Sequence, residues 1–365
     1  MRRKAYVGIA AAAAILICAA VLIHMVRAQS FMAEAGRMAE SLLAEKLGTA
    51  VHIGAVEIRS LHELALDDVV IYDKQAEAVL RADEARVTLR LLSLLSTPET
   101  SIDEILLTGA HVDVVRRADG SWNYDDIGVD DGKPSSFEGR IRLADATANV
   151  DVDGRSYDLS AITGTVDIDR SDVSYDLTGA LSGVPLRVRG AYVGGTQELD
   201  LSASDTDGMP LLKYLPESSL PEEIRVNTLH ADRVHMEMRR VDGVTTFDGH
   251  VDGVHGTADI YGTKTDLQTS AFRFNEREVF LAATAEAEGQ RARVDGTIRL
   301  DADTPYLDLH VTAADFAVDR VVPDSVYTGG VTADVHVTGT LAAPMAAGRL
   351  TAAAGAVNDV TFQNA

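Results

Sequence analysis

Cysteine, aromatic side chains and basic residues are all scarce in this 365-residue chain, and each shortage excludes something. The single cysteine, Cys18, cannot close an intrachain disulfide and lies in the most apolar stretch, so neither a disulfide framework nor a cysteine-based zinc site exists. Aromatic residues make up 5% of the chain, with one tryptophan, which leaves no carbohydrate-stacking platform. Lys and Arg number 33 against 56 Asp and Glu, and the net charge of -23 repels phosphate backbones and anionic membrane surfaces alike. Nucleic acid is therefore not an expected partner. No Gly-x-Ser-x-Gly elbow, phosphate-cradling glycine loop or Ser-Lys pair occurs, so no enzyme and no cofactor is expected. What the chain does have is a 46% hydrophobic content, enough to bury a sizeable core over more than one domain. Its stability has to come from packing and strand pairing.

Residues 6–26 carry no formal charge, and 21 residues of helix span roughly 30 Å, the hydrocarbon thickness of a bilayer. Tyr6, Ile15, Leu16, Val21 and Val26 belong to this expected anchor. Arg2, Arg3 and Lys4 precede it and predict a cytoplasmic N-terminus with the bulk of the chain exported to the periplasm. Those three and Arg27 are the only charges up to position 27, so the exported part holds 29 basic and 56 acidic residues. A cleaved signal peptide, cut after Val26 and Ala28, is the alternative. Residues 31–47 continue a helical pattern with Met38, Leu42, Leu43 and Leu47 near one face, and Gly48 stops it.

From Val51 onward the period changes to two. Thr165-Val166-Asp167-Ile168-Asp169, Val173-Ser174-Tyr175-Asp176-Leu177, Thr297-Ile298-Arg299-Leu300 and Asp334-Val335-His336-Val337 alternate strictly, as strands with one apolar face do. Asp153-Gly154, Gly194-Gly195, Asp242-Gly243, Asp252-Gly253 and Asp295-Gly296 supply turn signals, which predicts a meander of antiparallel hairpins, some 20 to 25 strands in all. Helix is expected only briefly: after a strand within 83–95, over 210–215, and near 319–323. The polar stretch 130–136 is the expected boundary, giving a tip and span over 1–30, a helix-then-strand section over 31–135 and a repetitive β section over 136–365. Within the last, Val188-Arg189-Gly190 leads to Leu199-Asp200-Leu201 and Leu215-Pro216, and Val294-Asp295-Gly296 leads to Leu307-Asp308-Leu309 and Val322-Pro323. Two such units suggest stacking into an elongated fold.

Candidate chemistry is thin. His250 and His255 flank a Gly-containing turn without an evident third ligand, so a solvated turn is preferred to zinc and no metal is expected. Asp125, Asp126, Asp130 and Asp131 cluster, but the Asp-x-Asp-x-Asp-Gly spacing of a calcium loop is missing, which favours an acidic linker. Trp122 reads as a packing anchor at a turn.

The order of these features resembles a known family. A basic tip, one span, a helix ending in Lys46-Leu47-Gly48, the strand Val51-His52-Ile53-Gly54 and the run Leu66-Asp67-Asp68-Val69-Val70-Ile71-Tyr72-Asp73 resemble the opening of AsmA-like and TamB proteins. Ile105-Leu106-Leu107, Val112-Asp113-Val114-Val115-Arg116-Arg117 and Asp119-Gly120-Ser121-Trp122-Asn123 are similar to the family's strand and Asp-Gly-x-Trp-Asn turn. Val337-Thr338-Gly339-Thr340-Leu341, Pro344, Gly348-Arg349-Leu350 and Gly355-Ala356-Val357 resemble the Gly-Thr-Leu-x-x-Pro repeat of the TamB branch, which would continue past Ala365 in a longer chain.

The resemblance implies a U-shaped antiparallel β-groove, anchored in the inner membrane of a diderm bacterium and carrying phospholipid toward the outer membrane. The alternative it leaves open is a scaffold that helps an outer-membrane β-barrel partner assemble other barrels or autotransporters; a surface adhesin is a third. Under the first reading the groove floor consists of Val150, Val152, Val166, Ile168, Val173, Leu177, Leu199, Leu201, Ile298, Leu300, Leu307, Leu309, Val335 and Val337. A strand with one apolar face has to hide it, and acyl chains can do so at about 0.8 kcal/mol per CH₂ buried.

Overall fold

The computed structural model describes residues 37–363 apart from 38–39, 42, 46, 61, 91–101, 128–137, 153, 171, 215–223, 261, 301–303, 322–324, 341–342 and 359. Among the described residues no helix is long and apolar enough to cross a membrane. The span expected over 6–26, with Tyr6, Ile15, Leu16, Val21 and Val26, lies outside them, as do Met38, Leu42, Asp130 and Asp131.

The chain is mainly β, with sheets that are almost wholly antiparallel and few short helices. It divides into two compact units, one reaching Asp200 and including Arg239–Val244, the other holding Leu201–Met238 and Thr245–Ala365. Among the described residues twenty-one strands appear, within the range that the alternation predicts. The first nine are β1 (Val51–Ser60), β2 (Glu63–Tyr72), β3 (Ala78–Leu89), β4 (Ile102–Thr108), β5 (His111–Val115), β6 (Glu138–Val152), β7 (Arg155–Asp169), β8 (Asp172–Leu181) and β9 (Val184–Val193). β10 (Thr196–Asp207) and β11 (Ile224–Val241) follow, then β12 (Val244–Asp252), β13 (His255–Ile260), β14 (Thr263–Asn275), β15 (Glu278–Ala287) and β16 (Gln290–Arg299). β17 (Tyr306–Ala317), β18 (Tyr327–Thr340), β19 (Ala343–Thr351), β20 (Ala354–Val357) and β21 (Val360–Gln363) complete the set.

The described residues between 37 and 47 are helical, and Gly48 ends the segment at φ 62°. Leu43 and Leu47 from this helix are buried against Leu64, Leu66, Val87, Ile102 and Ile105, which together form the closed core of the first unit. Short helices also appear where the sequence predicts them, at Met209–Tyr214 and Val318–Val321. Each follows the second strand of one repeat, so the two repeats share the order strand, strand, short helix.

One expectation needs correction. The meander is interrupted, because β4 and β5 both pair parallel with β6, and both pair antiparallel with β3. They act as one strand broken at Gly109 and Ala110. A parallel neighbour requires a long return connection, and residues 116–137 supply it. The stretch 130–136, expected as a boundary, lies outside the described residues, and the two compact units part near residue 200.

Alternation also fails locally for a definite cause. Asp68, Asp145, Ala161, Asp205 and Asp315 sit inside strands at φ 49° to 54°, a left-handed conformation that Asp tolerates better than most. Register shifts between Leu143 and Ala146, Ser160 and Thr163, Thr269 and Ala271, and Ala313 and Phe316 mark β-bulges, each of which bends its strand and resets the face its side chains occupy. Several bends seat an Asp against a neighbouring glycine. A Cβ at Gly109 would collide with the Asp83 carboxylate, one at Gly253 with Asp232, and one at Gly330 with Asp315.

Candidate apolar face

Residues directly opposed on neighbouring strands share a face, so the ladders trace rows across each unit. In the first unit one row runs Ile58, Leu64, Val87, Ile105, Ile141, Val166, Tyr175 and Gly190 over β1 to β4 and β6 to β9. The adjacent row runs Val56, Leu66, Ala85, Leu107, Leu143, Gly164, Leu177 and Val188. No charged side chain enters either row. Exposure grades along them: Leu64, Val87 and Ile105 are sealed at 0–1%, whereas Ile141, Val166, Tyr175, Leu143, Leu177 and Val188 are half-buried.

The second unit repeats the pattern without the sealed part. One row passes through Phe274, Val279, Ile298, Leu307 and Gly339, the next through Phe272, Leu281, Gly296, Leu309, Val337 and Ala346. A third passes through Ala283, Val294, Val311, Val335 and Gly348. The opposite face of the same strands carries Asp295, His310, His336, Asp308, Thr338, Arg293, Thr312, Asp334 and Arg349. The two faces thus differ as an amphipathic single sheet requires.

The same division is visible in ionisation. Burial pushes the Tyr175 phenol, on the apolar face, above its ordinary range. One residue on, the Asp176 carboxylate is held below its usual range by hydrogen bonds from Arg187, whose Nε and Nη2 donate to Oδ1 and Oδ2 at 2.8 and 2.5 Å.

Of the expected floor residues, Ile168 and Leu307 are buried, and Val150, Val152, Val166, Val173, Leu177, Leu199, Leu201, Ile298, Leu309, Val335 and Val337 are half-buried. Leu300 departs from the expectation. It lies past the end of β16 and is 42% exposed. Residues the alternation did not single out also line the face: Ile141, Leu143, Leu281, Phe272 and Val294. Their apolar character was legible, but bulges and the parallel pairing of β6 hid which side they occupy. Gly164 and Gly296 fit the face by lacking a side chain, since a Cβ at either would strike the backbone of Asp176 or Asp308.

At one end of the strands of the first unit, Gly139, Ile168 and Val173 meet a charged rim of Arg90, Asp103, Glu104, Arg140 and Asp167 around an open cleft of about 430 Å³. Arg90 pairs with Asp103 at 3.0 Å and Arg140 with Asp167 at 2.7 Å.

The expected Trp122 turn is built as a connector. Asp119 Oδ1 accepts from the Ser121 backbone and hydroxyl, and the hydroxyl bond holds the Asp119 carboxyl below its ordinary range. Trp122 stacks on Tyr124 with ring centres 5.6 Å apart. The buried Asn123 bonds β5 through both ends of its amide, donating to Asp113 O and accepting from Val115 N. Asp126 pairs with Arg117 at 2.6 Å, and Arg117 also holds the buried Asp73. These acidic groups are thus engaged in structure.

The chain defines a class by its architecture: bulged, mainly antiparallel sheets with one uncharged face. Compared with protein-family models, with curated proteins and with solved structures, it matches none.

Proposed function

We propose that this chain is an inner-membrane-anchored periplasmic protein that carries phospholipid toward the outer membrane along the apolar face of its bulged sheets, in the manner of the AsmA-like and TamB proteins its sequence resembles. The observation that carries this reading is the succession of uncharged rows within each unit, half-buried from β6 through β9 and, apart from the buried Leu307 and Gly339, from β14 through β18. An apolar face that its own side chains leave incompletely covered is stabilised by acyl chains, and equivalent rows let a chain slide without a deep minimum at any one rung. The bulges favour a U-shaped profile because each bends its strand toward one side. The charged opposite face keeps long sheets soluble and discourages pairing between molecules.

The test is lipid transport, together with mass spectrometry of lipid that co-purifies with the full chain. Leu309→Asp places a carboxylate among Gly296, Val337 and their row, at a cost of several kcal/mol to any acyl chain beside it. It should abolish lipid recovery and transport, while Asp308→Ala on the opposite face leaves both within about twofold. Equal behaviour of the two variants overturns the groove. Lipid-free protein that captures an outer-membrane barrel would favour the scaffold reading instead.

A further inference from the structure

The last strands of the second unit differ in charge from the rest of the chain. Residues 335–358 contain no Asp or Glu, in a sequence that holds 56, and their one formal charge is Arg349. They supply the end of β18 and the whole of β19 and β20, and β21 is likewise uncharged. Of the eighteen strands before them only β9 lacks a carboxylate, and β9 has strand partners on both sides in β8 and β10.

β19 is an edge. It pairs with β18 along its whole length, from Ala343 opposite Thr340 to Thr351 opposite Thr332, and among the described residues no strand pairs with its other side. The chain returns to β18 only through β20, which meets Tyr327, Thr328 and Gly329, and β21 pairs with β20 alone. All nine residues of β19 are exposed, with Met345 at 62% and Leu350 at 65%. A long edge of this kind is a template for another strand unless charge, proline or a covering segment blunts it. Pro344 and Arg349 stand toward its two ends and leave the centre, Ala346 to Gly348, open.

Charge decides what can cover it. Chains of net charge -23 repel one another, and almost any other strand would bring carboxylate against carboxylate. At β19 two copies meet without that cost. Antiparallel pairing of β19 with itself about a two-fold axis at Ala347 engages all nine residues, sets Ala346 opposite Gly348 and Leu350 opposite Pro344, and puts Met345 opposite Arg349 on the other face. The two Arg349 side chains then stand four residues apart along the ladder, roughly 13 Å, so they do not oppose each other. Opposed residues share a face, and the row Leu309, Val337, Ala346 therefore runs on into Gly348 and Val335 of the second copy.

We propose that β19 is a self-association edge, through which two copies of this chain join by antiparallel pairing of Ala343–Thr351 and carry the apolar rows of one second unit into the other. Backbone hydrogen bonds hold the pair, and the acid-free strand lets them form. Because the contact itself is nearly uncharged while the remaining surfaces repel, added salt strengthens it, the reverse of an interface built on ion pairs. The inference is independent of what the apolar face carries.

The experiment is analytical ultracentrifugation of the full chain in detergent, over a range of protein and salt concentrations. A monomer–dimer equilibrium that salt shifts toward dimer is expected. Ala347 is exposed and opposes itself across the axis, so Ala347→Glu and Ala347→Lys keep the fold and each sets like charges face to face. Each should weaken self-association by at least about tenfold. An equimolar mixture of the two variants should recover the dimer, since Glu then meets Lys at the axis. A chain that stays monomeric at every concentration and salt overturns the proposal. So does a dimer that neither variant weakens, or a mixture that associates no better than its components. Protection of β19 from hydrogen exchange only when a different protein is bound would give the edge to that partner and likewise overturn it.

Discussion

Glycines at the bends show how much a single atom decides in this fold. Gly109 and Gly154 both adopt positive φ, 59° and 79°, so alanine is conformationally strained at either. They differ in surroundings: nothing lies near a Cβ at Gly154, whereas one at Gly109 would meet the Asp83 side chain. Gly154→Ala should therefore cost about 1 kcal/mol from backbone strain alone. Gly109→Ala adds the collision and should cost roughly 1–3 kcal/mol more. The comparison is made by urea midpoints of the two variants, and equal midpoints would remove the Asp–Gly contact from the account of the bend. The sequence displayed Asp-Gly and Gly-Gly pairs as turns, which several are. It did not reveal the second use of glycine as the seat of an aspartate from the next strand, because that partner is 26 residues away for Gly109 and 21 for Gly253.

At the scale of elements, the helix ending at Gly48 illustrates a segment whose role follows from periodicity. Leu47 is fully buried and Leu43 nearly so, and both press on Leu64, Leu66 and Ile105 where β1 to β4 would otherwise expose an apolar face. Leu47→Ala removes a side chain that a rigid sheet cannot follow inward, and should destabilise the first unit by about 2–5 kcal/mol in denaturant unfolding. An effect below about 1 kcal/mol would mean that the helix is a peripheral decoration. The strand pairs were less legible. Hairpin order from β6 to β9 and from β14 to β18 follows from the turn residues, but the insertion of β4 and β5 between β3 and β6 depends on pairings such as Glu84 with Thr108 and Glu104 with Arg140, 24 and 36 residues apart, for which no local pattern exists.

Within each unit the apolar rows are continuous in register but unequal in cover, and this inequality makes a prediction about charge. Val87 is sealed among Leu64, Ile105 and the helix, so Val87→Asp buries a carboxylate with no partner and should unfold the first unit. Val335, in an equivalent row of the second unit, is half-buried beside Val311 and Gly348. Val335→Asp should leave the far-UV circular dichroism and the unfolding midpoint close to wild type while removing bound lipid. If both variants unfold, the second unit is as closed as the core under the helix and carries no groove; if both fold and keep lipid, the rows are not its path. The acidic excess works in the same direction, since charges confined to one face leave the other free of them.

Composition and period alone determined that this chain is built of strands with one uncharged face, that a helix ending at Gly48 precedes them, and that it carries a net charge of -23 and a single cysteine that can close no intrachain disulfide. These properties are local or additive: a period of two needs only neighbouring residues, and net charge needs only a count. Tertiary structure alone decided the parallel seam at β6, the bends that return the alternation to one face, and the meeting of His230 with His255 and of His235 with His250. Each of these is a relation between segments far apart in sequence, set by which backbone donors and acceptors find each other across a ladder, and no single strand contains the information about its neighbour's register.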